Sequence, residues 1–198
     1  MHLPSANCGV IRMDKKMKIG IIFIVWFFSV SAFAGGYYNP SIDTYDPETG
    51  LYFKSIQSEE KSGFLSGRDK SIINLYIYNP NTNSGKTLFP KSHNFQIVAL
   101  SFETSVKDGE VIFHSDYSAP IKNNHKIGDR SPKNKILILT RDSENKKETF
   151  YFANKDGSDL KKVKTISQSD DWHIDVKNSV VRVVKQVGSE IEIESFKW

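Results

Sequence analysis

Short runs rich in Ile, Val, Tyr and Phe recur along this chain, each closed off by Gly, Asn, Asp or Pro, and beyond residue 34 no long stretch keeps the apolar spacing of a helix. A chain patterned this way buries its apolar side chains by pairing strands into sheets and packing sheets on one another. The clearest predicted strands cover residues 51–57, 72–78, 95–102, 110–114, 135–140, 148–152, 180–185 and 190–196. Turns are predicted at 46–50, 79–85, 107–109, 155–157 and 187–189, where Gly, Asn, Asp or Pro supplies tight or left-handed geometry.

Two of these runs carry more than strand character. Ile136-Leu137-Ile138-Leu139 is apolar on both of its faces, which places it in the middle of a sheet or between layers. Glu190-Ile191-Glu192-Ile193-Glu194 alternates strictly, so isoleucines line one face and carboxylates the other, and only one face is expected to be buried.

The order of strands repeats three times. Residues 50–53, 74–78 and 86–89 form a first unit, residues 109–113, 135–139 and 148–152 a second, and residues 172–176, 180–185 and 190–196 a third. A leading strand in each, near Tyr37, at 95–102 and at 160–166, makes about twelve short antiparallel strands in three four-stranded units. Four strands is the content of a propeller blade. Residues 152–163, with Asp156-Gly157-Ser158 followed by basic and then apolar positions, resemble the strand-turn-strand signature of TolB-type, WD40-like β-propeller repeats. That resemblance implies a propeller-like fold in which the turn links the outer strand of one blade to the inner strand of the next. Three blades do not close comfortably, so an open arc, or two chains combining into six blades, is the expected form. A β-sandwich or barrel is the alternative fold.

The first residues read as an export signal: basic Arg12, Lys15, Lys16 and Lys18, an apolar run over 19–30, and Ala32-Phe33-Ala34 as the cleavage site. The run is too short to span a bilayer, so no stable membrane anchor is expected after cleavage. Met13 and Met17 are alternative starts to Met1, and residues 1–34 are expected to be a cleaved leader and 35–198 a single all-β domain. Without the four leader cations and Asp14, the balance of 27 Lys/Arg against 23 Asp/Glu falls to 23 against 22. That near-neutral mature chain lacks the basic footprint of a nucleic-acid binder. The single cysteine, Cys8, precedes the apolar run, so the mature chain is cysteine-free, with no disulfide or thiolate chemistry. A bacterial periplasm or exterior is the expected compartment.

Two insertions interrupt the strand spacing, at 58–71 and 115–134, and loops of that length are often functional. Phe64, Leu65 and Arg68 in the first, with Tyr117, Ile121, His125 and Arg130 in the second, are the candidate partner-binding residues, a mix typical of protein interfaces. No catalytic, metal or cofactor site is expected. The four histidines outside the leader, His93, His114, His125 and His173, have no metal-ligand spacing. His114-Ser115-Asp116 cannot converge from one strand, and Gly85-Lys86-Thr87 belongs to a hairpin, because Pro80 stands at the first glycine position of a phosphate loop. Asp43, Asp46 and Glu48 offer oxygens to calcium but lack the spacing and glycine of a calcium loop.

The expected function is therefore that of an exported, non-enzymatic module that binds another protein, in the manner of an assembly factor or a periplasmic immunity or inhibitor protein. The alternatives are an extracytoplasmic hydrolase using Asp116, Asp129, Asp170 and Asp171, and an envelope-carbohydrate binder with Tyr37, Tyr38, Tyr52 and Tyr117 as its aromatic row.

Overall fold

A computed structural model describes residues 42–58, 71–90, 93–115, 120–122 and 126–198, and among them there are thirteen strands and no helix. In chain order these are β1 (Thr44–Tyr45), β2 (Tyr52–Gln57), β3 (Ile72–Asn79), β4 (Ser84–Thr87), β5 (Gln96–Lys107), β6 (Glu110–Ser115), β7 (Ile121–Lys122), β8 (Ile136–Asp142), β9 (Lys147–Ala153), β10 (Lys161–Ser167), β11 (Asp171–Asp175), β12 (Val180–Val187) and β13 (Glu190–Lys197). They form three sheets: β1-β2-β3-β4, β10-β9-β8-β5-β6 and β13-β12-β11-β7. All pairings are antiparallel except that of β7 with β11.

The chain is thus all-β, and its core is built by the parity of β8. Ile136 and Ile138 join Phe53, Leu75 and Ile77 of the first sheet in one buried cluster. Leu137 and Leu139, pointing the other way, join Phe150 with Ile174, Val181 and Val183 of the third sheet in a second cluster. The middle sheet is therefore covered on both faces, as the doubly apolar run demands, while the first and third sheets each turn one face to it.

The sheets hold four, five and four strands, which departs from three equal units. Asp108 and Gly109 both have positive φ, 52° and 79°, so β5 and β6 close into a tight hairpin. β6 therefore sits at the edge of the sheet, and β5 pairs with β8 on its other side. The strand expected to lead the third unit is β10, and it pairs with β9 across the Asp156-Gly157-Ser158 turn, so that turn joins two neighbours in one sheet. The third sheet takes its fourth strand, β7, from the 115–134 insertion. The first sheet begins with β1; the strand expected near Tyr37 lies outside the described residues.

The same turn anchors the first sheet. Lys155 is 1% exposed, and its Nζ lies 2.9 Å from Oδ2 of Asp46, which is fully buried beside β1. Thr49 Oγ1 donates to the same oxygen at 2.5 Å, while Asp46 Oδ1 has no donor among the described residues. The Phe102 ring lies 5.4 Å from the ammonium, adding a cation–π contact. Gly157, with φ of 76°, abuts the first sheet so closely that a Cβ would sit 2.8 Å from Ile77 Cδ1. Only glycine meets both requirements there.

β13 alternates as its sequence says, but its isoleucines face solvent: residues 190–193 are exposed on both parities, and inward packing begins at Glu194. Ile191 and Ile193 are each 60% exposed, while Glu194 is held by Lys164 at 2.6 Å and Lys185 at 2.5 Å. Phe196 and Trp198 share the parity of Glu194 and pack on the second core cluster. Burying two aromatic rings, at about 150–250 Å² each, outweighs burying two isoleucines at the far end of the strand. Trp198 closes against Phe113 and Phe152 of the middle sheet.

Candidate functional site

Antiparallel pairing places three tyrosines side by side on the outer face of the first sheet. Phe53, Leu75 and Ile77 point to the core, so the residues of opposite parity, Tyr52, Tyr76 and Tyr78, point away from it. The turn after β1 closes with Gly50 N–H donating to Asp46 O at 2.8 Å and Asp46 N–H donating to Leu51 O at 2.9 Å. That closure sets Tyr45 directly opposite Tyr52, and Tyr52 in turn lies directly opposite Tyr78. Gly85 occupies the fourth place of the row, opposite Tyr78. A Cβ at Gly85 would lie 2.5 Å from the Tyr76 ring, so the missing side chain is what lets that ring lie across β4.

The rings support one another. Tyr45 and Tyr52 have centroids 4.8 Å apart, tilted by 49°, and Tyr52 and Tyr78 are 6.3 Å apart, tilted by 53°. Tyr78 Oη donates to Asn83 Oδ1 at 2.8 Å, which holds that ring to the β3–β4 turn. Tyr45 and Tyr52 nonetheless remain 46% and 49% exposed. At the rim, Asp43 accepts from Lys54 and from the Ser55 amide and hydroxyl. Partial burial opposes ionisation of Asp43, but those hydrogen bonds outweigh it and hold its carboxyl below the usual range. The face thus presents ring surfaces and phenol hydroxyls in a fixed arrangement beside a neutralised ion pair.

Among the described residues no three His, Cys, Asp or Glu side chains gather to hold a metal. Asp46 already faces Lys155, and Asp43 faces Lys54, so two of the three carboxylates considered for calcium each hold a lysine, while Glu48 is exposed. His93 stacks on Phe95 at 4.1 Å and His114 on Phe102 at 5.0 Å, as packing residues do. Asp170 accepts from the Ser167 amide, Asp129 and Asp171 are exposed, and Asp116 lies outside the described residues.

Of the predicted partner-binding residues, Phe64, Leu65, Arg68, Tyr117 and His125 lie outside the described residues. Ile121 is in β7, half-buried against the second core cluster. Arg130 grips Glu103 with two hydrogen bonds, Nη1 to Oε2 at 2.6 Å and Nη2 to Oε1 at 2.7 Å, and the Lys133 amide adds a third at 2.8 Å. Glu103 is 2% exposed, so Arg130 neutralises a buried carboxylate of β5. Deleting residues 116–133 from the second insertion takes away both β7 and this arginine and is expected to damage the fold. The ends of the other insertion meet where Ser58 N–H donates to Ser71 O, at the opposite end of the β2–β3 hairpin from the tyrosine row.

Sequence reading named Tyr52 among possible exposed aromatics but missed Tyr45, Tyr76 and Tyr78; Tyr37, Tyr38 and Tyr117 lie outside the described residues. The available signal was parity: Tyr76 and Tyr78 alternate with the core residues Leu75 and Ile77, and the 46–50 turn sets Tyr45 opposite Tyr52. In comparisons with known proteins, no family model matches the chain, and no curated protein or solved structure is significantly similar to it.

Proposed function

We propose that this chain is an exported, non-enzymatic binding module that captures another protein through the tyrosine face of its first sheet. The observation that carries this reading is the contiguous row of Tyr45, Tyr52 and Tyr78, with two of its rings half exposed on the outer face of the first sheet. Tyrosine supplies a large rigid contact area and a hydroxyl at low entropic cost, and is enriched among the residues that dominate protein interfaces. Cross-strand stacking has already ordered these rings, so less side-chain freedom is lost on binding.

The leader pattern supports export to a bacterial periplasm or exterior. The middle sheet, buried on both faces, supports an open arc of stacked sheets that is propeller-like in its face-to-face packing and differs in the strand order of its middle sheet. A role as an assembly factor or as an immunity protein against a rival's toxin fits such a module. The test is affinity capture from the producing cell with the full chain and with its Tyr45→Ser/Tyr52→Ser variant. A protein partner held by the first and lost by the second, with a loss of about 2 kcal/mol or more in affinity, is the expected result. An identical partner set for both chains overturns the proposal, and retention on envelope polysaccharide without any protein replaces it with the carbohydrate-binding reading, for which the same aromatic row is the support.

A further inference from the structure

A second surface, remote in kind from the tyrosine face, lies where the edge of the middle sheet meets the edge of the third. β10 is the outer strand of one and β13 the outer strand of the other, and between them runs a groove of about 500 Å³. That is within the usual range of small-molecule sites. Phe152, Val163, Phe196 and Trp198 line it. Between Lys162 and Lys164 the pairing of β10 with β9 shifts by one residue, a bulge that leaves Val163 unpaired and lets it pack inward. Bulges at sheet edges re-aim side chains in this way.

The rim is basic. Lys135, Lys161, Lys162 and Lys197 line the groove, and Asp159 is the one acidic side chain among its lining residues. Asp159 is held by Lys161 at 3.0 Å and lies 3.8 Å from Lys135, and those two lysines hold its carboxyl below the usual range. The Lys162 and Lys197 side chains have no hydrogen bond or ion pair among the described residues. Glu194, farther along β13, is neutralised by Lys164 and Lys185 and so does not offset them. A chain whose charges otherwise nearly balance therefore gathers unpaired cations around an aromatic trough.

We propose that this groove binds an anionic amphiphile, its acyl or aryl group lying on Phe152, Phe196 and Trp198 and its acidic head meeting Lys162 and Lys197. The apolar lining rewards burial of a hydrocarbon group, and the two free lysines select an anion over a neutral head of the same length. This proposal does not depend on the tyrosine face.

The probe is decanoate, titrated into the full chain while tryptophan fluorescence is followed, with 1-decanol as the neutral counterpart and a Trp198→Phe variant to assign the signal. Saturable 1:1 binding is expected, at least roughly tenfold tighter for decanoate than for decanol, a difference of about 1.4 kcal/mol. The Lys162→Glu/Lys197→Glu variant, both positions being on exposed strand surface, is expected to keep the thermal unfolding of the parent and lose decanoate affinity by a similar factor. Absence of saturable binding up to about 1 mM, equal affinity for the alcohol, or binding indifferent to the charge reversal each overturns the proposal.

Discussion

Replacing Lys155 by methionine tests how the first sheet is held. In the folded protein its ammonium and the Asp46 carboxylate are 1% and 0% exposed and 2.9 Å apart. Methionine fills nearly the same volume, so the substitution removes the charge while leaving little cavity. What remains is a buried carboxylate with one hydrogen bond, from Thr49, and an oxygen without a donor. Breaking a buried pair on one side costs about 3–5 kcal/mol, because the surviving charge stays desolvated. For a domain of this size each kcal/mol is worth about 2–4 °C in Tm, so Lys155→Met is expected to lower Tm by about 6–20 °C. Adding Asp46→Asn keeps an acceptor for Thr49 and removes the stranded charge, so the double variant is expected to recover more than half of the loss. Urea unfolding of the four chains gives the coupling energy directly. A loss below about 1 kcal/mol for Lys155→Met, the worth of a solvated surface pair, would refute the reasoning, since it would mean that water reaches the junction of the first and middle sheets.

Arg130→Ala is expected to destabilise the protein by about 3 kcal/mol in the same assay by stranding Glu103, without weakening partner capture by properly folded protein at low temperature. Asp175 gives a pH signature: hydrogen bonds from Asn178, helped by the Arg182 guanidinium, outweigh the opposing effect of partial burial and lower its pKa to about 2. A folded-state pKa below the unfolded one means the contribution is complete above the ordinary aspartate range and is lost as pH falls from about 4 through about 2. The urea midpoint is expected to fall across that window in the parent, and to fall less steeply in Asp175→Asn.

Period and face proved separable in this sequence. Alternation located the strands, because the side-chain period of a strand is a local property of the residues. It also placed Ile136-Leu137-Ile138-Leu139 between layers, where both parities find a core. Which face of β13 turns inward was not local: Phe196 and Trp198 decide it for Ile191 and Ile193, several residues away on the same strand. Sheet order was decided by tight turns, since the Asp108-Gly109 hairpin commits β6 to one side of β5 and leaves the other for β8. Lys155 looked like a turn lysine beside Asp156 and Gly157, and only the docking of that turn on the first sheet buries it. The tyrosine row depends on register across three strands, which no single segment encodes.

The two surfaces separate by chemistry: one offers aromatic rings and hydroxyls on a sheet face, the other lysines around an apolar trough. The first is suited to a protein and the second to a small anion-bearing molecule, so each is tested by variants that spare the other.

The most direct measurement for the tyrosine face is site-specific photo-crosslinking in the producing cell, with benzoylphenylalanine placed in turn at Tyr52, at Phe64, at Tyr117 and at Ile193. The account predicts a discrete protein adduct from position 52 that disappears when Tyr45 is changed to serine, and none from position 193. Adducts from positions 64 or 117 with none from position 52 would contradict it and return partner recognition to the long loops.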